Sequence, residues 1–140
     1  MKAELDAVRQ LLVPYTGAEN IEVYFGDVPG EPTYPYVLLW CSPGLLEAVE
    51  ADGAQDDLNE PLGVTYVAET SDAVLVVADR CRKLLVGAQP TAAGRYVQPL
   101  RLEDSRAVRA DEAWTLPNTD RHPAYAVDIY RLRSEALPTP

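Results

Sequence analysis

Residues 36–41, Tyr-Val-Leu-Leu-Trp-Cys, carry apolar bulk at odd and even positions alike. A strand sends successive side chains to opposite faces, so this run fits a central strand covered on both sides, by a helix or by another subunit. The approach to it is equally constrained. Prolines 29, 32 and 35 recur every third residue, which favours an extended polyproline-like strap poor in ladder hydrogen bonds. Gly26–Pro35 therefore reads as a connector.

The rest of the chain is arranged around that strand. Leu5, Val8, Leu11 and Leu12 form one apolar stripe, predicting a helix over Lys2–Val13 that Pro14 ends. Ile21–Phe25 alternates as a strand. Residues 42–59 read as a long loop, with a possible helical turn over Leu45–Ala51, and loops of this length in small domains are usually functional or disordered. Leu62–Glu69 alternates well and leads into Thr70-Ser71-Asp72, a helix-start signal. The second helix is expected over Asp72–Val86, with Val74, Val77, Ala78, Cys81, Leu84 and Leu85 inward and Gly87 as its cap. Tyr96–Leu102 and Ala124–Leu132 are the last strands, separated by an irregular polar stretch in which Trp114 joins Tyr15 and Tyr34 as loop aromatics. The order α-β-β-β-α-β-β predicts a single α+β domain over residues 1–134. It should hold a mainly antiparallel sheet of four to five strands packed by two helices, with 135–140 a short tail.

Charge narrows the function classes. The chain has 140 residues, 22 acidic against 12 basic side chains and a net charge of −10. That balance argues against a nucleic-acid binder, whose affinity comes largely from neutralising phosphates. No apolar run approaches the roughly 20 residues that cross a bilayer. The excess is uneven: residues 1–71 hold two basic and 13 acidic side chains, a balance of −11, while residues 72–140 hold ten and nine, a balance of +1. Six acids of the first half are concentrated in Glu47, Glu50, Asp52, Asp56, Asp57 and Glu60.

Chemical motifs are absent. The single histidine, His122, lies in Asp-Arg-His-Pro without a nucleophile motif, and reads as a loop histidine. Asp52, Asp56 and Asp57 miss the spacing of a calcium loop and read as a solvated acidic loop. The glycines form no phosphate cradle. Cys41 and Cys81 have no paired spacing and read as buried thiols. No catalytic residue, cofactor or metal site is expected, and the chain does not read as an enzyme.

The order of segments resembles the tail terminator, or tail completion, proteins of long-tailed bacteriophages, with the likeness strongest to those of actinobacterial phages. The match lies in the N-terminal helix and the proline-studded lead Val28–Trp40. It continues through Val64–Ser71 into a helix ending Leu84-Leu85, then Pro99–Leu102, Asp111 and the terminal strand Pro123–Leu132. It spans residues 3–133 and departs at the long acidic stretch between the second and third strands.

The resemblance implies a structural, non-enzymatic virion protein. Such proteins form a hexameric ring that caps the tail tube, ends its polymerisation and joins tail to head. The implied partners are the chain itself, the tail tube protein and the head–tail connector or stopper protein. DNA would pass through the lumen without specific binding, and no membrane is involved. The place is the tail or neck of the virion, assembled in the host bacterial cytoplasm. The alternatives are another neck component, or a small ligand-binding cytosolic domain or enzyme. Interface candidates are the six clustered acids, projecting into the lumen or toward a ring neighbour, and the loop aromatic Trp114. Arg101, Arg106 and Arg109 are candidates for inter-subunit or tube-facing ion pairs, or form a solvated face.

Overall fold

The computed structural model describes residues 1–47 and 55–138, so Glu50, Asp52 and most of the possible turn over Leu45–Ala51 lie outside the described residues. The chain runs α1 (Lys2–Glu19), β1 (Glu22–Phe25), β2 (Tyr36–Trp40), β3 (Leu58–Ala68), α2 (Ser71–Leu85), β4 (Arg95–Val97), β5 (Arg101–Ser105), β6 (Arg109–Ala110) and β7 (Ala124–Ala136). The α+β reading holds: two helices pack on one sheet. Its seven strands exceed the expected four to five because short β4, β5 and β6 each pair with a different stretch of the long β7. The opposite edge of β7 pairs with β3 along eleven register positions, making these two the spine of the sheet.

The pairing is antiparallel except for β1 and β2, which run parallel. Parallel neighbours need a connection that returns the chain to its starting end. The strap 26–35 does so without a helix, since extended chain covers about 3.3 Å per residue. Pro61 sits within β3 where β2 has already ended at the Trp40–Gly63 pair, so its missing N–H leaves no ladder bond unmade on that side.

One expectation is overturned: Pro14 does not end the first helix but lies inside α1. A proline there forfeits its bond to the carbonyl four residues back and normally costs about 3 kcal/mol. Tertiary contacts hold the extra turn. It buries Tyr15, over which the Arg80 guanidinium stacks at 5.4 Å, and it brings Glu19 within 2.8 Å of Arg80. Tyr15 is thus a helix residue of the core, not a loop aromatic. Asn20 closes the helix in the left-handed region, φ 55°, with its N–H on the Thr16 carbonyl. α2 begins as its signal predicts, Thr70 Oγ1 accepting the Ala73 N–H at 3.1 Å.

Both helices lie on one face of the sheet. Val37, Leu39, Leu62, Val64, Tyr66, Tyr130 and Leu132 point to them and are fully buried with Leu12, Val74, Cys81 and Leu85. The two thiols are free, Cys81 buried and Cys41 only half-buried.

Candidate assembly surface

On the helix-covered face the buried carboxylates find their partners within the chain, whereas the buried Tyr130 hydroxyl has no hydrogen-bond partner. Asp128 is a carboxylate on an otherwise apolar face of β7, only 1% exposed. Arg82 of α2 grips it with two charge-assisted bonds, Nε to Oδ2 and Nη2 to Oδ1, both 2.7 Å. The Tyr66 hydroxyl donates to Oδ2 at 2.8 Å, and Arg82 also donates to Ser105 Oγ at 2.6 Å. Burial alone would raise the Asp128 carboxyl, but bonds from Arg82, Ser105 and Tyr66 outweigh it and hold it below the usual range. Burial also pushes the neighbouring Tyr130 phenol and Cys81 thiol up to about 12, so neither ionises near neutrality.

A second buried carboxylate, Glu4, does the same at the far end of β7. It accepts from Ser134 Oγ at 2.8 Å, pairs with Arg95 at 2.5 Å and with the Met1 amine at 3.2 Å. Burial raises its pKa, and the bonds from Ser134, its own backbone amide and the Met1 amine lower it further than burial raises it. Arg95 also donates to the Asp56 carbonyl at 2.6 Å, tying the end of the acidic segment to the core.

The opposite face of the sheet has no helix. Register places Tyr24, Tyr36, Leu38, Trp40, Val127 and Ile129 on it together, half-buried or exposed. Tyr24 packs edge-on against Tyr36 at 5.5 Å, and Tyr34 from the strap tilts over Tyr36 at 5.6 Å. At the other end the Trp40 indole lies over the backbone of Gly63: a Cβ there would stand 2.0 Å from the ring. Trp40 Nε1 donates to Thr65 Oγ1 at 3.0 Å, pinning the indole flat along β3. Between Trp40 and the segment after β5 runs a groove of about 350 Å³. Tyr125, Val127 and Ile129 form its floor, and Arg106 and Arg109 stand on its rim. The run that is apolar on both faces is thus covered by helices on one side and uncovered on the other.

This chain shares its fold with a chain of a gene transfer agent virion. The solved structure, "Virion of native gene transfer agent (GTA) particle", contains a chain that aligns with 94% of this one and 93% of its own length, at 18% identity and a TM-score of 0.67. A second solved chain, whose name gives no function, aligns over 97% of each chain at 15% identity and a TM-score of 0.57. No family profile and no curated protein matches. At these identities the likeness establishes the fold.

The expected interface residues that the structure describes fall into four places. Arg106 and Arg109 rim the groove, Arg106 bonding Asp104 at 2.8 Å and Arg109 making no ion pair among the described residues. Arg101 lies exposed on β5, opposite Arg131. Of the acids, Glu60 belongs to β3 and caps its own loop, accepting the Leu45 N–H at 2.8 Å and the Ser42 hydroxyl at 3.3 Å. Glu47 and Asp57 exchange backbone hydrogen bonds, pinching the acidic segment shut at its base. Trp114 is exposed in its loop, where its carbonyl meets His122 Nδ1 at 2.5 Å, so the only histidine braces a turn. Among the described residues no three His, Cys, Asp or Glu side chains converge as a metal site, and no helix is long and apolar enough to cross a membrane.

Sequence reading missed Asp128 and Gly63. Each carried a signal: a charge in the apolar register of β7, and a glycine inside an alternating strand, which marks close approach of another group.

Proposed function

We propose that this chain is a structural virion protein, a tail terminator whose copies close into a ring of six on the end of the tail tube. The ring stops tube polymerisation and offers its other side to the connector or stopper protein of the head. The likeness to a virion chain over 94% of this chain and 93% of that one carries this reading. The uncovered sheet face supports it, because a ring subunit must bury a surface that its own helices leave free, through heterologous contacts whose rotation closes. The buried carboxylates Asp128 and Glu4 are both held by internal bonds, which is consistent with a structural part. The acidic excess suits a lumen that repels DNA phosphates and lets the duplex slide through.

Deleting the gene from its phage tests the reading. A terminator predicts overlong tails and headless tails in electron micrographs. DNA-filled heads that leak beside tails of normal length would assign the chain to the stopper position instead, and unaltered particles would reject any neck role.

A further inference from the structure

The groove and its complement occur on the same chain. Leu45 is the most exposed large apolar side chain among the described residues, at 71%, Leu46 beside it is 46% exposed, and Glu47 follows them directly. This Leu-Leu-Glu knob is held out rigidly: Leu45 N–H is fixed on Glu60, and Glu47 is bridged to Asp57. Gly44 at its base has φ 95° and lies so close to Leu58 that a Cβ would approach Leu58 Cδ2 to 2.6 Å. Gly44 at the base of the knob lies against Leu58 of β3 and Met1 ahead of α1, whereas the groove lies on the uncovered face, and knob and groove share no residue.

We infer that the groove of Trp40, Val127 and Ile129 receives the Leu45-Leu46-Glu47 knob of a second copy, Glu47 meeting Arg106 and Arg109 on the rim. The match is of both kinds that matter. An apolar pair meets an apolar floor, and a carboxylate without an ion pair meets an arginine, Arg109, that also lacks one among the described residues. The contact explains where the acidic first half and the arginine-rich second half would meet. Because knob and groove sit on different surfaces, each copy engages two neighbours head to tail, as a closed ring requires. This assignment rests on the ring reading and names its joint.

The test uses the full-length protein in two variants of exposed residues, L45S/L46S without the knob and R106E/R109E without the rim. Circular dichroism should show both folded. Sedimentation velocity should show the wild type as a closed oligomer and each variant dissociating at a concentration about tenfold higher or more. Mixing the two variants should give a one-to-one heterodimer that does not grow, since the pair retains one intact knob facing one intact groove. Adding E47R to R106E/R109E on one chain should recover the oligomer. Wild-type-sized oligomers in both variants would overturn this joint while leaving the ring intact, and so would two dissociated variants that fail to pair. A wild type that stays monomeric at all concentrations overturns the joint together with self-assembly as its basis. If R106E/R109E instead abolishes only binding to purified tail tubes, the groove belongs to the tube protein and the joint is wrong.

Discussion

Alternate residues of the same strands build two unlike faces. Tyr66, Asp128 and Tyr130 look toward the helices, while Val67, Val127 and Ile129 look away. On the first face even the charges are finished: two buried carboxylates each hold an arginine and a hydroxyl. The second face has aromatic and branched side chains at strand spacing but no helix above them, and apart from Val67 they are half-buried or exposed. A small domain built only for its own stability has little reason to line an uncovered face this way, with Trp40 seated over a glycine. One face carries the fold, and the other is the face that the proposed ring would use.

The largest effect should come from breaking the finished face. Asp128→Ala leaves Arg82 and the Tyr66 hydroxyl without their acceptor and should lower stability by about 3 kcal/mol, read from urea unfolding midpoints. Tyr66→Phe removes one bond and should cost about 1 kcal/mol. Acid probes the same device. Asp128 and Glu4 both have folded pKa values lowered below their unfolded ones. Their contribution is therefore full above about pH 5, where the unfolded carboxylates are ionised, and is lost as pH falls further through the folded values. Stability should drop steeply in that window, and Asp128→Asn should flatten the slope. An equal slope in wild type and variant would mean the Asp128–Arg82 clip is not formed.

Gly63→Ala tests whether the uncovered face is shaped as described. The added Cβ meets the Trp40 ring at 2.0 Å, so the indole must leave and its bond to Thr65 must break. A cost of about 1–3 kcal/mol is expected. The specific sign is a red shift of Trp40 emission, measured with Trp114 replaced by Phe. Unchanged emission would show that Trp40 does not lie on β3.

Much of the finished face was legible in the residues, and the uncovered one only in part. Hydrophobic period located both helices and the main strands, and the alternation of β7 sorted Tyr125, Val127 and Ile129 from Ala126, Asp128 and Tyr130. The double-faced run at 36–41 predicted a cover on each side; α1 and α2 supply one, and the other side carries no helix. What period cannot carry is long-range pairing. The parallel β1–β2 contact, the three short strands sharing β7 and the Asp128–Arg82 bond join residues far apart in sequence. Pro14 misled for the same reason: local propensity ends a helix there, and only the distant Arg80, which stacks on Tyr15 and pairs with Glu19, explains why it continues. The knob at Leu45–Glu47 was hidden because a loop's sequence does not say which apolar residues its backbone holds outward.

The smallest expected effect is the sharpest on the difference between the faces. Val64 and Val127 are paired-strand valines on opposite sides, Val64 fully buried and Val127 half-exposed. Val→Thr replaces a methyl by a hydroxyl of nearly the same shape, so packing volume is held constant and only the cost of burying a polar group changes. At Val64 the hydroxyl is buried, and the Asp128 carboxylate opposite it is already engaged by Arg82 and Tyr66, so the change should cost about 1–2 kcal/mol. At Val127 water can reach the hydroxyl, and the monomer should change by no more than about 0.5 kcal/mol. In an oligomer that seals this face, the Val127→Thr hydroxyl loses that water. The same substitution should then weaken self-association while leaving the unfolding of the dilute monomer untouched. Equal losses at Val64 and Val127 in the monomer would show that something in the chain already covers both faces, and the second face would lose its claim to a partner.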